Sequence, residues 1–179
     1  MPNEPTADPV PPVPSGPPVP SVPSIGDPPL HLLSRFERSS FRFIDNLIRK
    51  HLRLTELYNH SVGAGYVALG SGRMLKTYGM ERLAGLTNDD GILLVSNHRS
   101  FFDLYELGMV LYRRSHLRSP VICPVRANFF YERPLGVTVN LLASGGHMYP
   151  PFFRDPAKAD FNRWSLQRTA EMLRTDPTP

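Results

Sequence analysis

Hydrophobic and polar positions alternate with the period of an α-helix most clearly between residues 30 and 58. Apolar side chains such as Phe41, Ile44 and Ile48 cover a wide arc of this helix. At about 100° per residue, five arginines fall within an opposite arc about 60° wide. The five are Arg35, Arg38, Arg42, Arg49 and Arg53. The pattern predicts an amphipathic helix, or two shorter helices because the serines at 39–40 and Asn46 weaken its interior.

Two interpretations of this amphipathic region are open. A basic stripe beside an aromatic and aliphatic stripe suits the surface of an anionic membrane, where each cation contributes about 1 kcal/mol of attraction. The same pattern is also that of an ordinary helix whose apolar face packs on the rest of the domain. Residues 62–70, which are apolar and rich in glycine and alanine, are too short to span a bilayer but long enough to enter one leaflet.

From residue 85 onward the pattern changes to alternating strands and helices. The wholly apolar run 92–95 follows a turn cluster and predicts a buried strand, and residues 120–125 predict a second strand. Helices are predicted from 102 to about 114 and over 157–174, with a short apolar segment, also helical, at 137–143. Alternation of this kind predicts an α/β domain, as a sheet flanked by helices.

The first 29 residues differ from the rest of the chain in composition. They contain 12 of the 20 prolines, which fix φ and donate no backbone hydrogen bond. We therefore predict a disordered tail over 1–29, either a passive linker or a ligand for a proline-recognition domain. Residues 30–84 are then a membrane-associating helical region, and residues 85–179 an α/β region.

Charge and cysteine content narrow the function classes. The formal net charge of +4 favours an anionic partner, either lipid, a phosphorylated substrate or nucleic acid, but no nucleic-acid recognition motif accompanies it. The single cysteine, Cys123, excludes an intramolecular disulfide and a multi-cysteine zinc site, so no metal is expected. It lies in an apolar run and is predicted to be a small buried hydrophobic residue in a reducing compartment. No secretory signal and no run of about 18 apolar residues is visible.

The candidate chemistry lies after the first predicted strand. Ligands of open α/β sheets bind beyond the carboxyl ends of the strands, and the loop there contains His98 and Asp103. A neutral imidazole can take a proton from a hydroxyl, and a carboxylate on its other nitrogen fixes its tautomer. Positions five apart diverge by about 140° on a helix, so the pair requires His98 in the loop and Asp103 in the first helical turn. Ser100 has capping-box spacing to Asp103 and competes for its carboxylate.

Residues 95–103, Val-Ser-Asn-His-Arg-Ser-Phe-Phe-Asp, resemble the Asn-His-x4-Asp block of the PlsC-like lysophospholipid and glycerol-phosphate acyltransferase family. Residues 125–136, from a basic position to Pro-Leu-Gly, are similar to the segment that follows it, and the resemblance covers about residues 78–175. It implies transfer of an acyl chain from acyl-CoA or an acyl-carrier-protein thioester to the hydroxyl of a glycerol-phosphate-type lipid such as lysophosphatidate. His98 would act as the general base and Asp103 would orient it, without a bound cofactor.

The resemblance also implies residues that bind the substrates. Gly146 and Arg154 are the nearest matches to a family segment that contacts the acceptor phosphate, although Pro150 and Pro151 are unusual in a strand. A second set of candidate substrate-binding residues lies in or near the predicted loops, and the guanidinium groups of its two arginines suit phosphate. This set comprises Asn97, Arg99 and Arg126.

The family's next block, Phe-Pro-Glu-Gly-Thr-Arg, is expected shortly after a helix such as 157–174, but the sequence stops at Pro179. We therefore expect the N-terminal part of an acyltransferase domain, located peripherally on the cytoplasmic face of a membrane and contacting anionic lipid. The alternative is an inactive fragment that serves as a non-catalytic membrane-surface module. Acyl-carnitine transferases and peptide-condensing domains usually carry paired histidines where this chain has Asn97, and no Gly-x-Ser-x-Gly elbow indicates a hydrolase.

Overall fold

The computed structural model describes residues 25–87, 91–97, 100, 102–117 and 120–174, and most of them are helical. The helices are α1 (Arg35–Lys50), α2 (Leu52–Tyr58), α3 (Ala64–Ser71), α4 (Asp103–Arg114), α5 (Ala127–Phe130), α6 (Pro134–Ser144) and α7 (Ala159–Met172). The strands are β1 (Val125–Arg126) and β2 (Pro151–Phe152), and 3₁₀ turns cover Leu30–Leu32, Met80–Leu83 and Pro156–Lys158. The architecture is therefore mixed α and β with helix predominant, which agrees with the α/β prediction at this coarse level.

Helix α1 begins at a capping box. The Glu37 N–H donates to Ser34 Oγ (3.3 Å) and the Ser34 N–H donates to Glu37 Oε2 (2.8 Å), so two helix-end donors are satisfied. The helix ends at Lys50, and His51 separates it from α2. The amphipathic region therefore consists of two helices, which is one of the two predicted outcomes, but the break lies at residue 51 and not at the serines 39–40 or at Asn46.

The apolar face of α1 forms the centre of the main core. The Phe41 ring lies 6.2 Å from that of Tyr149, and it meets those of Phe161 and Trp164 edge-on at 5.1 and 5.4 Å. Ile44 is fully buried beside them. The helix therefore packs on the domain, as the second interpretation of the amphipathic pattern states. Because this core also contains residues beyond position 85, the boundary drawn at 84/85 does not separate two cores.

An ion pair joins α1 to the turn before α7. Lys158 Nζ donates to Glu37 Oε1 at 2.6 Å. Burial opposes the charged carboxylate, but this ammonium group and the hydrogen bonds from Ser34 outweigh it and hold the pKa of Glu37 below its ordinary value. The pair therefore links α1 to the 3₁₀ turn that leads into α7.

The end of the predicted tail belongs to the fold. Trp164 Nε1 donates to the Gly26 carbonyl oxygen at 2.9 Å, and Ile25 packs against the core around Phe41. The disorder predicted for residues 1–29 is therefore wrong for 25–29, because the buried indole supplies a polar partner there. Residues 1–24 lie outside the described residues.

The two strands form a small parallel pair with Val125 opposite Pro151 and Arg126 opposite Phe152. Backbone hydrogen bonds continue the pairing before the strands, since the Cys123 N–H donates to the His147 carbonyl at 2.9 Å. The strand predicted over 120–125 is thus confirmed only at its end. Pro151 is tolerated in β2 because an edge position does not require its missing N–H.

The strand predicted at 92–95 is wrong. Residues 91–97 have no regular secondary structure, and Leu93 and Val95 are 70% and 88% exposed. A short apolar run does not reveal by itself whether another strand lies beside it to pair with its backbone. Within the described part of the chain, only β1 and β2 pair.

The remaining helical predictions are confirmed. Helix α4 covers 103–114 of the segment predicted from 102 to about 114, α7 and the 3₁₀ turn before it cover 157–172 of the predicted 157–174, and α6 contains 137–143. The small-residue segment 62–70 lies in a longer helical stretch, in which a π-helical turn, Asn59–Gly63, joins α2 to α3. Each helix of the described residues is too short or too polar to traverse a bilayer.

Candidate functional site at the start of helix α4

The loop that carries the candidate motif ends where α4 begins. Asp103 is the first residue of α4, as the proposed pairing of base and carboxylate requires. Asp103 Oδ2 accepts a hydrogen bond from the Ser100 N–H at 2.7 Å, and Ser100 Oγ accepts one from the Phe102 N–H at 3.2 Å. The competition expected from the capping-box spacing therefore exists, and it fixes one oxygen of the carboxylate.

His98 and Arg99 lie outside the described residues. The contact between His98 and Asp103 consequently stays a prediction from the sequence. Asn97, which precedes them, is exposed at the end of the irregular segment that begins at Gly91.

A cavity of about 1110 Å³ lies beside α4. One wall is a face of α4, where Leu104, Leu107 and Leu111 recur at the three- and four-residue spacing of a single helix face. A second wall is the irregular segment 91–96, and a third is 120–124. Ser96 and Leu104, the residues that flank the Asn97–Asp103 motif in the sequence, both line the cavity.

The cavity is predominantly apolar around α4. Cys123 lines it and is half-buried, and burial raises the pKa of its thiol, so the neutral form is favoured. Tyr112 also lines it, and its hydroxyl accepts a hydrogen bond from the Val121 N–H at 2.9 Å. Burial raises the pKa of Tyr112 to about 12, which keeps this phenol neutral as well. An apolar chain would therefore meet no ionised group on this part of the wall.

The phosphate-binding candidates lie elsewhere. Arg126 is exposed in β1 and Arg154 is exposed just beyond β2, so the parallel pair places both at its carboxyl-terminal end. Neither belongs to the cavity lining, and neither does Gly146. Gly146 has φ +87°, and a Cβ there would approach Leu47 Cδ2 to 3.2 Å. Gly146 therefore packs closely on α1, and its phosphate assignment stays a prediction from the resemblance.

A buried polar network around His147 could not be identified from the sequence. His147 is 2% exposed, and its Nδ1 and Nε2 lie 2.9 Å from Asn59 Nδ2 and Thr55 Oγ1 respectively. An amide nitrogen only donates, so Nδ1 accepts, Nε2 carries the proton, and the Thr55 hydroxyl donates onward to the Leu52 carbonyl at 2.8 Å. Burial lowers the pKa of His147 to about 4, and nearby His60 adds to the effect. The sequence carries no signal for this network because Asn59 and Thr55 precede His147 by 88 and 92 residues.

The described ranges contain no group of three or more His, Cys, Asp or Glu side chains that could hold a metal ion. No protein-family model, no curated protein and no solved structure matches the chain. The resemblance to the PlsC-like acyltransferases therefore rests on the motif residues alone.

Proposed function

We propose that this chain transfers an acyl group from an acyl-CoA or acyl-carrier-protein thioester to the hydroxyl of a glycerol-phosphate-type lipid such as lysophosphatidate, in phospholipid synthesis. The observation that carries the proposal is the apolar cavity lined by Ser96 and Leu104, the residues that flank the Asn97–Asp103 motif in the sequence. Its volume of about 1110 Å³ slightly exceeds the roughly 300–1,000 Å³ typical of small-molecule sites, so a long acyl chain fits. Each buried methylene would contribute about 0.8 kcal/mol.

In the proposed reaction, His98 accepts the proton of the acceptor hydroxyl. The oxygen attacks the thioester carbonyl carbon, the new ester C–O bond forms and the C–S bond breaks. His98 then returns the proton to the leaving thiolate, so no acyl-enzyme is formed and Ser100 is not a nucleophile. Asp103 orients the imidazole and stabilises its cation. The Ser100 N–H and the N-terminus of α4 favour the ionised carboxylate in this position.

The test is an acyl-transfer assay on the full chain with oleoyl-CoA or oleoyl-acyl carrier protein and lysophosphatidate. Substituting His98→Ala should lower the rate about 10²-fold or more, because the general base is lost. His31→Ala, at an exposed histidine in the first 3₁₀ turn, is the matched control and should leave the rate unchanged. Equal rates in wild type and H98A, or no transfer by wild type with either donor, would refute the proposal.

An exposed apolar stripe favours a second candidate function, the membrane-surface module. It runs along one face of the helical stretch 52–71, whose opposite face carries the buried Thr55, Asn59, Gly63 and Ala64. The stripe consists of Leu54, Leu57, Val62, Tyr66 and Leu69, which are between 41% and 87% exposed. Apolar surface in a continuous row on a helix is typical of an interaction face.

Cations lie at both ends of this stripe. Lys50 and Arg53 precede it and Arg73 and Lys76 follow it, and all four are exposed. This arrangement fits insertion of the stripe among anionic lipids, with the basic side chains at the head groups. It moves the proposed membrane contact from the arginine face of 30–58 to the stretch 52–71.

Sedimentation of the full chain with vesicles tests the second candidate. Binding should be stronger to vesicles of phosphatidylserine and phosphatidylcholine than to phosphatidylcholine alone, and should decrease with salt. The double variant Leu54→Ser/Leu69→Ser should lose most of the binding. Leu166→Ser, at a leucine of α7 that is 64% exposed, is the matched control. If the control weakens binding as much as the double variant, the stripe is not the contact.

A further inference from the structure

Residues 10–25 of the proline-rich segment repeat with a period of three. An aliphatic side chain occupies every third position, except that position 16 is a glycine. The aliphatic residues are Val10, Val13, Val19, Val22 and Ile25. All positions between them, apart from the glycine, hold proline or serine. Because a polyproline II helix has three residues per turn, this spacing places the aliphatic side chains along one continuous edge of such a helix.

The described structure fixes one end of this edge. Ile25 packs against the core around Phe41, and the next residue, Gly26, accepts the hydrogen bond from Trp164 Nε1 at 2.9 Å. Four members of the same apolar cluster also line the cavity beside α4. They are Ile48, Leu52, Ile122 and Met172. The aliphatic edge of residues 10–25 therefore ends in the cluster that forms part of the cavity wall.

The cavity is within reach of the residues that precede Ile25. Arg168 and Met172 of α7 line the cavity about one and two helical turns beyond Trp164. The rise along the helix from Trp164 to Met172 is about 12 Å. Six residues of polyproline II helix span about 19 Å, so residues 19–24 are long enough to cover this distance.

The cavity offers these valines an apolar surface. Leu93, Leu94 and Val95 line it and are exposed. Removal of such surface from water is favourable, and a preformed polyproline II helix loses little conformational entropy when it binds. A tethered segment has an effective concentration of about 1 mM, so an affinity of about 0.1 mM keeps its site occupied about nine-tenths of the time.

We infer that residues 10–24 bind to this protein's own cavity as a polyproline II helix, with Val19 and Val22 against the apolar side chains of its wall. The segment continues the observed contact of Ile25 and competes with any ligand of the cavity. This role differs from a passive linker and from a ligand of a separate proline-recognition domain. It goes beyond the proposed acyl transfer and does not depend on it.

Disulfide formation in the full chain tests this inference, because Cys123 lines the cavity and is the single cysteine. The variants Val19→Cys and Ser21→Cys place a second thiol at nearly the same tether length, the first on the valine edge and the second off it. With diamide as the oxidant, which takes up the two electrons and two protons of the thiols, V19C should form the intramolecular disulfide at least about tenfold faster than S21C.

Two outcomes of this experiment would overturn the inference. Equal rates in V19C and S21C would show that the valine edge does not face the cavity. A disulfide between two chains, formed faster at higher protein concentration, would show that the segment binds a second copy of the protein instead of its own cavity.

The rate at which iodoacetamide labels Cys123 measures how completely the segment covers the cavity. Val19→Ser/Val22→Ser should raise this rate about tenfold, because a site that is nine-tenths occupied becomes open. Ser21→Val/Ser24→Val keeps the valine edge and should label as slowly as wild type. The combination of all four substitutions keeps the composition but moves the valines off the edge, and it should label as fast as V19S/V22S.

Slow labelling of the fourfold variant would show that apolar composition, and not the period of three, holds the segment, and the inference would be wrong. The same rate in wild type and all three variants would show that the segment leaves the cavity open, which would also overturn it. Neither measurement involves acyl transfer, so failure of the proposed function would not alter these outcomes.

Discussion

The core around Phe41 and the cavity beside α4 use the same kinds of apolar residue with opposite results. In the core, side chains from α1, α7 and the segment before β2 interlock, and Phe41, Ile44 and Phe161 are 0–1% exposed. Beside the cavity, the apolar segment 91–96 has no regular structure, and Leu93 and Val95 are mostly exposed. The difference shows that apolar content produces a core only where regular elements bring apolar faces together from both sides.

The largest expected effect comes from removing one aromatic ring of the core. Phe41→Ala should lower the free energy of unfolding by about 3–5 kcal/mol, because the ring contacts three other aromatic side chains and a cavity would remain. Urea unfolding followed by tryptophan fluorescence measures the change, since the single tryptophan, Trp164, lies against Phe41. Phe43→Ala, two residues along the same helix and 56% exposed, is the control and should cost under about 1 kcal/mol. Similar losses in the two variants would contradict the observed face of α1.

The second effect is a dependence of stability on pH. The pKa of His147 is about 4 in the folded protein and 6.5 in the unfolded chain, so the unfolded state binds more protons between these values. The contribution of the neutral histidine is therefore complete above pH 6.5 and is lost as the pH falls toward 4. The expected loss in the free energy of unfolding is about 3 kcal/mol. Below pH 4 the contribution should remain constant.

Urea unfolding between pH 4 and 7.5 measures this dependence. His147→Gln keeps an uncharged polar side chain and should remove the part of the pH dependence that lies between pH 4 and 6.5. His116→Gln, at an exposed histidine, should preserve it. An unchanged pH profile in H147Q would show that other groups cause the acid sensitivity.

The helices were predictable from the sequence, whereas the sheet and part of the site were not. The 3.6-residue period of α1, α4 and α7 is a local property, and those predictions held within a few residues. The strand at 92–95 failed because pairing depends on a distant partner that a short apolar run does not specify. At the candidate site, the helical position of Asp103 followed from the turn before α4, and so did its capping contact with Ser100.

Other parts of the site depend on contacts that are distant in the sequence. Arg49 and Arg168 line the same cavity. The Asp45–Tyr149 hydrogen bond between them joins positions 104 residues apart. The arginine spacing along α1 therefore correctly predicts a basic face but not which arginine lines a cavity. The close packing of Gly146 on Leu47 is likewise visible only in its positive φ and its approach to that side chain, whereas its phosphate assignment stays a prediction.

The third effect compares two glycines. Gly146→Ala should destabilise the fold by about 1–3 kcal/mol, because φ is +87° and the new Cβ would press on Leu47 at 3.2 Å. Gly70→Ala should instead stabilise it by about 0.5–1 kcal/mol, since Gly70 lies in α3 and a Cβ there meets nothing within 4 Å. Thermal unfolding of both variants measures the difference. A change in stability of the same sign in both variants would contradict the described backbone at one of the two positions.

The smallest effect is expected at the cavity itself and bears most directly on the comparison. Leu93→Ser should change the free energy of unfolding by less than about 0.5 kcal/mol in urea, because the side chain is 70% exposed and belongs to no strand. A buried strand, as the sequence predicts, would instead lose about 2–4 kcal/mol when an apolar side chain is replaced by a hydroxyl. A large loss would therefore indicate that this segment is a third strand of the sheet. The cavity on which the acyl-binding proposal depends would then be closed on this side. A small loss without ligand that becomes larger when oleate is saturating would show that the apolar partners of this segment come from the ligand.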